Sequence, residues 1–171
     1  YVSELMVDWV KREPSDFIFV SGLPIGLTSY YINTKALEIA IAMKKESDTE
    51  IWGPFVNRPD FFKIGYLNFK TDLFPTEARF TCDYLKDYEF ILSIYKHFES
   101  QHCPSIFEIS KLIKDIKVKL TNTSIIQASV DSELVKEINN NFDLNKKLGE
   151  KVALEVGHKL DPGSNTLNIN L

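Results

Sequence analysis

Two kinds of apolar spacing alternate along this chain and predict its elements. Apolar residues recur at helical spacing between Val2 and Val10, which predicts an amphipathic helix over residues 2–12. The next apolar run, Phe17 to Ser21, is too short for a helix and predicts a buried strand. Pro14 separates the two elements, because proline cannot continue a helix.

Similar patterns follow along the rest of the chain. They predict a helix over 34–45, strands over 64–69 and 79–82, a helix over 85–99, a helix after a Ser105–Glu108 capping box, and a helical stretch over 132–160. Asn139 to Asn141 and Gly149 interrupt that last stretch, and the Asn- and Ser-rich residues 161–171 are expected to be disordered. Strands that alternate with helices predict an α/β layered domain.

The apolar positions also predict which helix faces point inward. Leu37, Ala40 and Ile41 are expected to face the core from the helix over 34–45. In the helix over 85–99 a larger apolar set shares one face. Its members are Tyr88, Ile91, Leu92, Tyr95 and Phe98.

Composition narrows the classes of function. The chain has 171 residues, 44% hydrophobic and 26% charged, with a formal net charge of −4. No dense basic face suggests a nucleic-acid partner, and no stretch of about 20 apolar residues suggests a membrane span. Cys82 and Cys103 do not form a C-x-x-C pair, so a zinc or redox motif is not indicated. We expect a cytoplasmic protein, in which the Asn122-Thr123-Ser124 sequon carries no meaning.

Three segments, in this order, resemble a known family. The first is Leu23-Pro24-Ile25-Gly26-Leu27 with Ala36-Leu37-Glu38, and the second is Trp52-Gly53-Pro54-Phe55-Val56 with the run from Arg58 to Ile64. The third is Arg79-Phe80-Thr81-Cys82-Asp83, followed by Asp87 to Ile91 and Ile94-Tyr95. Together they resemble the cytidylyltransferases of spore-coat polysaccharide biosynthesis, relatives of the CMP-sialic-acid and CMP-Kdo synthetases. The resemblance covers about residues 1 to 116, and the third segment is the most specific.

The resemblance implies a fold and a domain organisation. It implies a Rossmann-like nucleotide-diphospho-sugar transferase sheet with flanking helices, incomplete in this chain, plus a C-terminal helical extension. We therefore expect residues 1–119 to be the C-terminal part of the cytidylyltransferase-like domain. Residues 120–160 would be the helical extension, and residues 161–171 the disordered tail.

The resemblance also implies a reaction and its residues. A sugar hydroxyl attacks the α-phosphorus of CTP and releases pyrophosphate with the help of Mg²⁺. By position, Asp83 would be a metal ligand, Arg79 a catalytic residue, and Pro24 and Gly26 substrate-binding residues. The implied partners are CTP, a sugar or sugar acid, and a second copy of the chain in a homodimer.

The chain departs from the family pattern. The glycine- and arginine-rich loop that cradles the triphosphate is absent, as is a second metal-binding aspartate, and Tyr30 stands where the family usually has a glutamate. We therefore expect this chain alone not to turn over CTP. Two hypotheses remain for it: the C-terminal part of an enzyme, or a non-catalytic remnant used for oligomerisation or partner binding.

The residues themselves leave alternatives open. Asp83 is also suited to cap the helix that starts near Leu85, because a carboxylate accepts hydrogen bonds from free backbone N–H groups. Arg79 is equally suited to pair with an acidic side chain nearby. The aromatic side chains between Trp52 and Tyr66 are typical of a core or of a dimer contact, and we expect self-association through them.

Overall fold

The computed structural model describes residues 1–44, 52–99, 102–115, 117–126 and 131–171. Within these ranges the chain has an α/β fold, with helices flanking an open, mixed sheet of four strands. The elements are α1 (Val2–Arg12), β1 (Phe17–Ser21), β2 (Tyr31–Ile32), α2 (Thr34–Met43), α3 (Gly53–Val56), β3 (Lys63–Lys70), α4 (Leu85–Tyr95), α5 (Ile106–Lys114), α6 (Ser132–Glu155) and β4 (Gly163–Asn170). No helix of these ranges is long and apolar enough to cross a membrane.

The strand order fixes where the ends of the strands lie. The order in the sheet is β2-β1-β3-β4. β1 and β4 both run parallel to β3, whereas β2 is antiparallel to β1. Phe17 is paired with Ile64, and Ser21 with Asn68. The carboxyl ends of β1, β3 and β4 therefore lie along the same edge of the sheet.

Apolar side chains fill both faces of the sheet. On one face, Phe17 and Ile64 join a core cluster with residues of α2, α3 and α6. On the other face, Ile18 and Leu67 pack against Trp9 of α1. A third cluster is built mainly from α4, α5 and the segment before α4. These alternating contacts are those of strands buried on both faces.

Helix α6 runs without the interruption that the sequence predicts. It is continuous over 24 residues, and Ile138 and Phe142 are fully buried against the rest of the core. Gly149 does not break the helix. A Cβ added at Gly149 would lie 2.2 Å from Sδ of Met43, so glycine allows α2 to pack closely on α6.

The predicted disorder of residues 161–171 is wrong. Gly163 to Asn170 form β4, which pairs with β3 over all eight of its residues. The polar composition that suggested disorder belongs to a strand at the edge of the sheet. There the alternate side chains at Ser164, Thr166 and Asn168 face solvent.

The structure also differs from the predicted helices and strands in their presence or their ends. Residues 79–82 do not form a strand, since Arg79 makes a single isolated bridge. α4 ends at Tyr95 rather than at residue 99, and α2 ends at Met43, with residue 45 outside the described residues. Gly53 to Val56, which lie between the predicted helix over 34–45 and the predicted strand over 64–69, form the short helix α3.

Several predicted inward positions are exposed. Leu37 and Ile41 of α2 face solvent, whereas Ala40 is buried as predicted. In α4, the buried residues are Asp87, Phe90 and Ile94. The exposed residues of α4 include three from the predicted apolar face, namely Tyr88, Leu92 and Tyr95. Packing against α5 and the preceding segment, rather than residue size, selects the buried face of this helix.

Candidate functional site

A cleft opens at the carboxyl ends of β1 and β3. Its volume is about 220 Å³, and it is lined by Gly22, Leu23, Pro24, Thr71, Phe74, Pro75 and Thr76. Gly22 follows β1 directly and has a φ of 82°, and a Cβ there would lie 1.8 Å from the carbonyl oxygen of Phe69. Open α/β sheets place their ligand crevices at this edge.

The loop after β1 contacts the segment that precedes α4. Ile25 and Arg79 form an isolated parallel bridge, and the backbone N–H of Phe80 donates to the carbonyl of Ile25 over 2.8 Å. Gly26 has a φ of 92°, and a Cβ there would lie 2.3 Å from the carbonyl carbon of Phe80. Only glycine fits this position, because both the conformation and the contact exclude a side chain. Pro24 and Gly26 are thereby held next to the Arg79 segment.

Arg79 lies in a buried ion-pair network. Its side chain is 5% exposed, and its guanidinium contacts two carboxylates. Nε donates to Oδ1 of Asp87 over 3.1 Å, and Nη2 donates to Oδ2 of Asp83 over 2.7 Å. The structure thus brings Arg79 and Asp83 together, as two residues of one network.

Asp87 is the centre of this network. Its carboxylate is fully buried and accepts from the backbone N–H groups of Asp83 and Tyr84, each over 3.2 Å. These groups lie at the start of α4, where backbone N–H groups have no partner within the helix. Tyr84 occupies the N-cap position, so Asp83 is not the capping residue of α4.

Asn122 is a further member of the network and contacts both Asp87 and the backbone of Arg79. The sequence did not predict this role. Asn122 is fully buried, and its Nδ2 donates to Oδ1 of Asp87 over 2.7 Å and to the carbonyl of Arg79 over 3.0 Å. Oδ1 of Asn122 and Oγ1 of Thr81 are buried without a hydrogen-bond partner among the described residues. An asparagine in a stretch without regular periodicity gives no signal from which this contact could be predicted.

The network sets the charge states of its members. Burial by itself would raise the pKa of Asp87. Hydrogen bonds from Arg79, Asn122 and two backbone N–H groups outweigh this effect and hold the pKa of Asp87 below its usual value. The hydrogen bond to Asp87 is the main reason that the pKa of Arg79 is raised. Asp87 is therefore ionised and Arg79 is protonated.

Asp83 is the member of the network that faces solvent. Its side chain is 52% exposed, although Arg79 holds one of its oxygens. Two carboxylates share this guanidinium, and of the two only Asp83 reaches the surface. The described residues contain no group of three or more His, Cys, Asp or Glu side chains able to hold a metal. Among the residues searched, Asp83 therefore does not belong to a cluster of three or more such ligands.

The aromatic residues between Trp52 and Tyr66 belong mostly to the core. Phe55, Phe61 and Phe62 are buried, whereas Trp52 is 40% exposed. Tyr30 contacts Trp52 edge to face, with 5.0 Å between ring centroids. Of the two interpretations left open by the sequence, this stretch fits a core better than a dimer contact.

The fold and cleft define an α/β protein with an open sheet and a polar crevice at the carboxyl ends of its parallel strands. The chain is 28% identical, over 125 residues, to an uncharacterized protein of Methanocaldococcus jannaschii. The match covers 72% of this chain and 51% of that protein, so the chain spans about half the length of the curated relative it matches. No family model matches the chain, and no solved structure matches it.

Proposed function

We propose that this chain is the C-terminal part of a cytidylyltransferase that forms a CMP-activated sugar from CTP and releases pyrophosphate. One observation carries the proposal. The loop that contains Pro24 and Gly26 contacts the segment from Arg79 to Asp83 at the carboxyl edge of the sheet. These are the two segments that resemble the substrate loop and the metal-binding segment of that family.

Asp83 has the properties that the proposal asks of a metal ligand. Its carboxylate is half exposed, and of its two oxygens Oδ2 contacts Arg79. Mg²⁺ is usually held by one or two carboxylates, with water and substrate phosphates as its other ligands. A single carboxylate fits this coordination, and Mg²⁺ bound there would neutralise negative charge on the phosphates of CTP.

In this proposal Arg79 is a positioning residue and does not touch the substrate. Its guanidinium is almost fully buried and is held in place by its hydrogen bond to the buried Asp87 carboxylate. It can therefore hold the Asp83 carboxylate in one orientation, at 2.7 Å, and Arg79 itself is not among the residues that line the cleft. A charge-assisted hydrogen bond of this kind gives geometric precision as well as energy.

In this proposal Pro24 and Gly26 belong to the loop that binds the substrate. Pro24 lines the cleft, and Gly26 lets the loop approach the backbone of Phe80 closely. The proposal also includes the finer fold assignment, a Rossmann-like nucleotide-diphospho-sugar transferase sheet, and a cytoplasmic location. The second candidate function is a non-catalytic binding module, in which the outer edge of β4 would be available to a strand of a partner.

Release of pyrophosphate tests the proposal. The complete protein that carries this chain is incubated with CTP, Mg²⁺ and a panel of sugars and sugar acids, with ATP and UTP as nucleotide controls. We expect release that depends on CTP and on one class of sugar, and none from residues 1–171 alone. If the complete protein releases no pyrophosphate with any sugar of the panel, the result would favour the binding module instead.

A further inference from the structure

The two faces of the sheet are covered unequally towards its carboxyl edge. On the face that packs against α1, burial extends to the ends of the strands, since Val20 and Phe69 are both buried. On the opposite face, Phe17 and Ile64 at the amino ends are buried under α2, α3 and α6. Further along the same strands, the side chains on this face become partly exposed. The carboxyl half of this face is therefore accessible in the described part of the chain.

Two rows of side chains form this accessible area, which we call the sheet shelf. The aromatic row contains Phe19 of β1 and Tyr66 of β3, which are paired, and Thr166 of β4 continues it. The polar row lies one step nearer the carboxyl edge. Its members are Ser21, Asn68 and Asn168. The usual spacing of strands and residues makes the shelf roughly 10 Å wide and roughly 7 Å deep, which suits a single sugar ring.

Hydrogen bonds join the members of the polar row. Oγ of Ser21 donates to Oδ1 of Asn68 over 3.0 Å, and Nδ2 of Asn68 donates to Oδ1 of Asn168 over 3.1 Å. A side-chain amide has two N–H donors and an oxygen with two lone pairs, so the row can bond a ligand in addition to making these contacts. A sugar hydroxyl both donates and accepts, and it therefore matches a row that offers donors and acceptors side by side.

Two exposed aromatic rings stand beside the shelf and form a corner. The ring centroid of Tyr30 lies 5.9 Å from that of Phe19, and Trp52 contacts Tyr30 at an interplanar angle of 85°. A flat nucleobase stacks face to face on an aromatic ring, and only parallel rings would clamp it from two sides. The perpendicular pair instead suits a puckered ring that presents C–H groups in more than one direction.

Charge argues against an ionic ligand on the shelf. None of the shelf residues is charged, and neither are Tyr30 and Trp52. The next residue on this face of β3 is Lys70, which is exposed beyond the polar row. Proteins usually bind carboxylates and phosphates through cationic side chains or backbone N–H groups. The uncharged shelf therefore favours an uncharged ligand.

We propose that the sheet shelf, together with Tyr30 and Trp52, binds the ring of a neutral sugar. The C–H groups of the sugar pack on the aromatic rings, whose faces carry the negative part of the ring quadrupole. The sugar hydroxyls bind to the amides of the polar row. Ser21 directly precedes Gly22, which lines the cleft, so a sugar on the shelf lies next to that cleft.

This inference rests on the proposed function in one point, the role of the bound sugar as the acceptor in transfer from CTP. It narrows the sugar or sugar acid of that proposal to the neutral class. Binding to the shelf is measured without CTP, so the inference and the proposed function can fail separately.

The test is direct binding of sugars to the complete protein in the absence of CTP. Saturation-transfer NMR compares matched pairs of ligands, such as glucose with glucuronic acid and galactose with galacturonic acid, and also N-acetylhexosamines. We expect a neutral sugar to bind at least about tenfold more tightly than its acid. Trp52→Ala and Asn68→Ala should each weaken that binding about tenfold or more, with melting temperatures measured to check that both variants fold.

Matched controls remove the same kinds of side chain elsewhere. Tyr95→Ala removes an exposed aromatic ring of α4, and Asn140→Ala removes an exposed amide of α6. Both variants should bind the sugar as the wild type does. Equal losses of binding in these controls would overturn the assignment of the ligand to the shelf.

The outcomes separate the two proposals. The inference is overturned if no sugar of the panel binds, or if Trp52→Ala and Asn68→Ala leave binding unchanged. A preference for uronic acids that Lys70→Met abolishes would also overturn it, because the ligand would then be ionic. Binding of a neutral sugar without pyrophosphate release supports the inference and rejects the proposed function. Pyrophosphate release with a sugar acid alone does the reverse.

Discussion

Nδ2 of Asn122 lies 2.7 Å from Oδ1 of Asp87, although 35 residues separate them in the chain. Both side chains are fully buried, and Asp87 joins this asparagine to Arg79. The contact ties the segment after α5 to the start of α4. The exposed Asp83 carboxylate is therefore supported by a buried network rather than by a surface ion pair alone.

Replacement of Arg79 by methionine should destabilise the protein strongly. It leaves the Asp87 carboxylate buried without its cation, and loss of one partner from a buried ion pair costs about 3–5 kcal/mol. Denaturant unfolding measures the change. Combining Arg79→Met with Asp87→Asn removes the buried charge and should recover more than half of the loss. If the double variant is no more stable than the single one, the charge is not the cause.

Asp83→Asn should separate activity from stability. The ion pair with Arg79 is half exposed, and such pairs contribute about 0–1 kcal/mol, so we expect little change in melting temperature. In the complete protein, pyrophosphate release should fall at least roughly 100-fold, because the charge that a hard cation needs is lost. Asp8→Asn, at an exposed position of α1, serves as the control and should keep full activity. Wild-type activity in the Asp83 variant would contradict the metal role.

The stability of the protein should fall in acid. Because folding lowers the pKa of Asp87, its ionised form stabilises the native state above the unfolded pKa of about 3.9, and this contribution is lost as the pH decreases through that region. The free energy of unfolding, measured between about pH 6 and pH 2, should decrease on acidification. Asp87→Asn should flatten this dependence. Hydrogen bonds from Ser105 also lower the pKa of Glu108. Because Glu108 is exposed, Glu108→Gln should flatten the pH dependence less.

Gly26 and Gly53 should respond differently to alanine. At Gly26 the positive φ and the contact with Phe80 should make Gly26→Ala cost at least about 1–3 kcal/mol. At Gly53 an added Cβ meets nothing within 4 Å, so Gly53→Ala should leave stability unchanged or raise it by up to about 1 kcal/mol. Melting temperatures of the two variants test this contrast. Equal melting temperatures would mean that the loop is free to move away from Phe80.

Local sequence patterns are sufficient to predict several elements of this fold. α1 and β1 have the predicted bounds, because their apolar spacing is strong and Pro14 separates them. The capping box before α5 is present, with Oε2 of Glu108 accepting from the backbone N–H of Ser105 over 2.8 Å. Interactions between residues a few positions apart determine such features, so a reading of the sequence finds them.

Three other features depend on contacts between segments that are distant in the chain: strand β4, the orientation of α4 and the position of Asn122. The polar residues of β4 become a strand because all eight pair with β3, which is distant in the chain. Asp87 is buried in preference to the large Tyr88 because its partners, Arg79 and Asn122, come from other segments. A buried charge is stable only where its hydrogen-bond partners converge, and that convergence is a property of the folded chain.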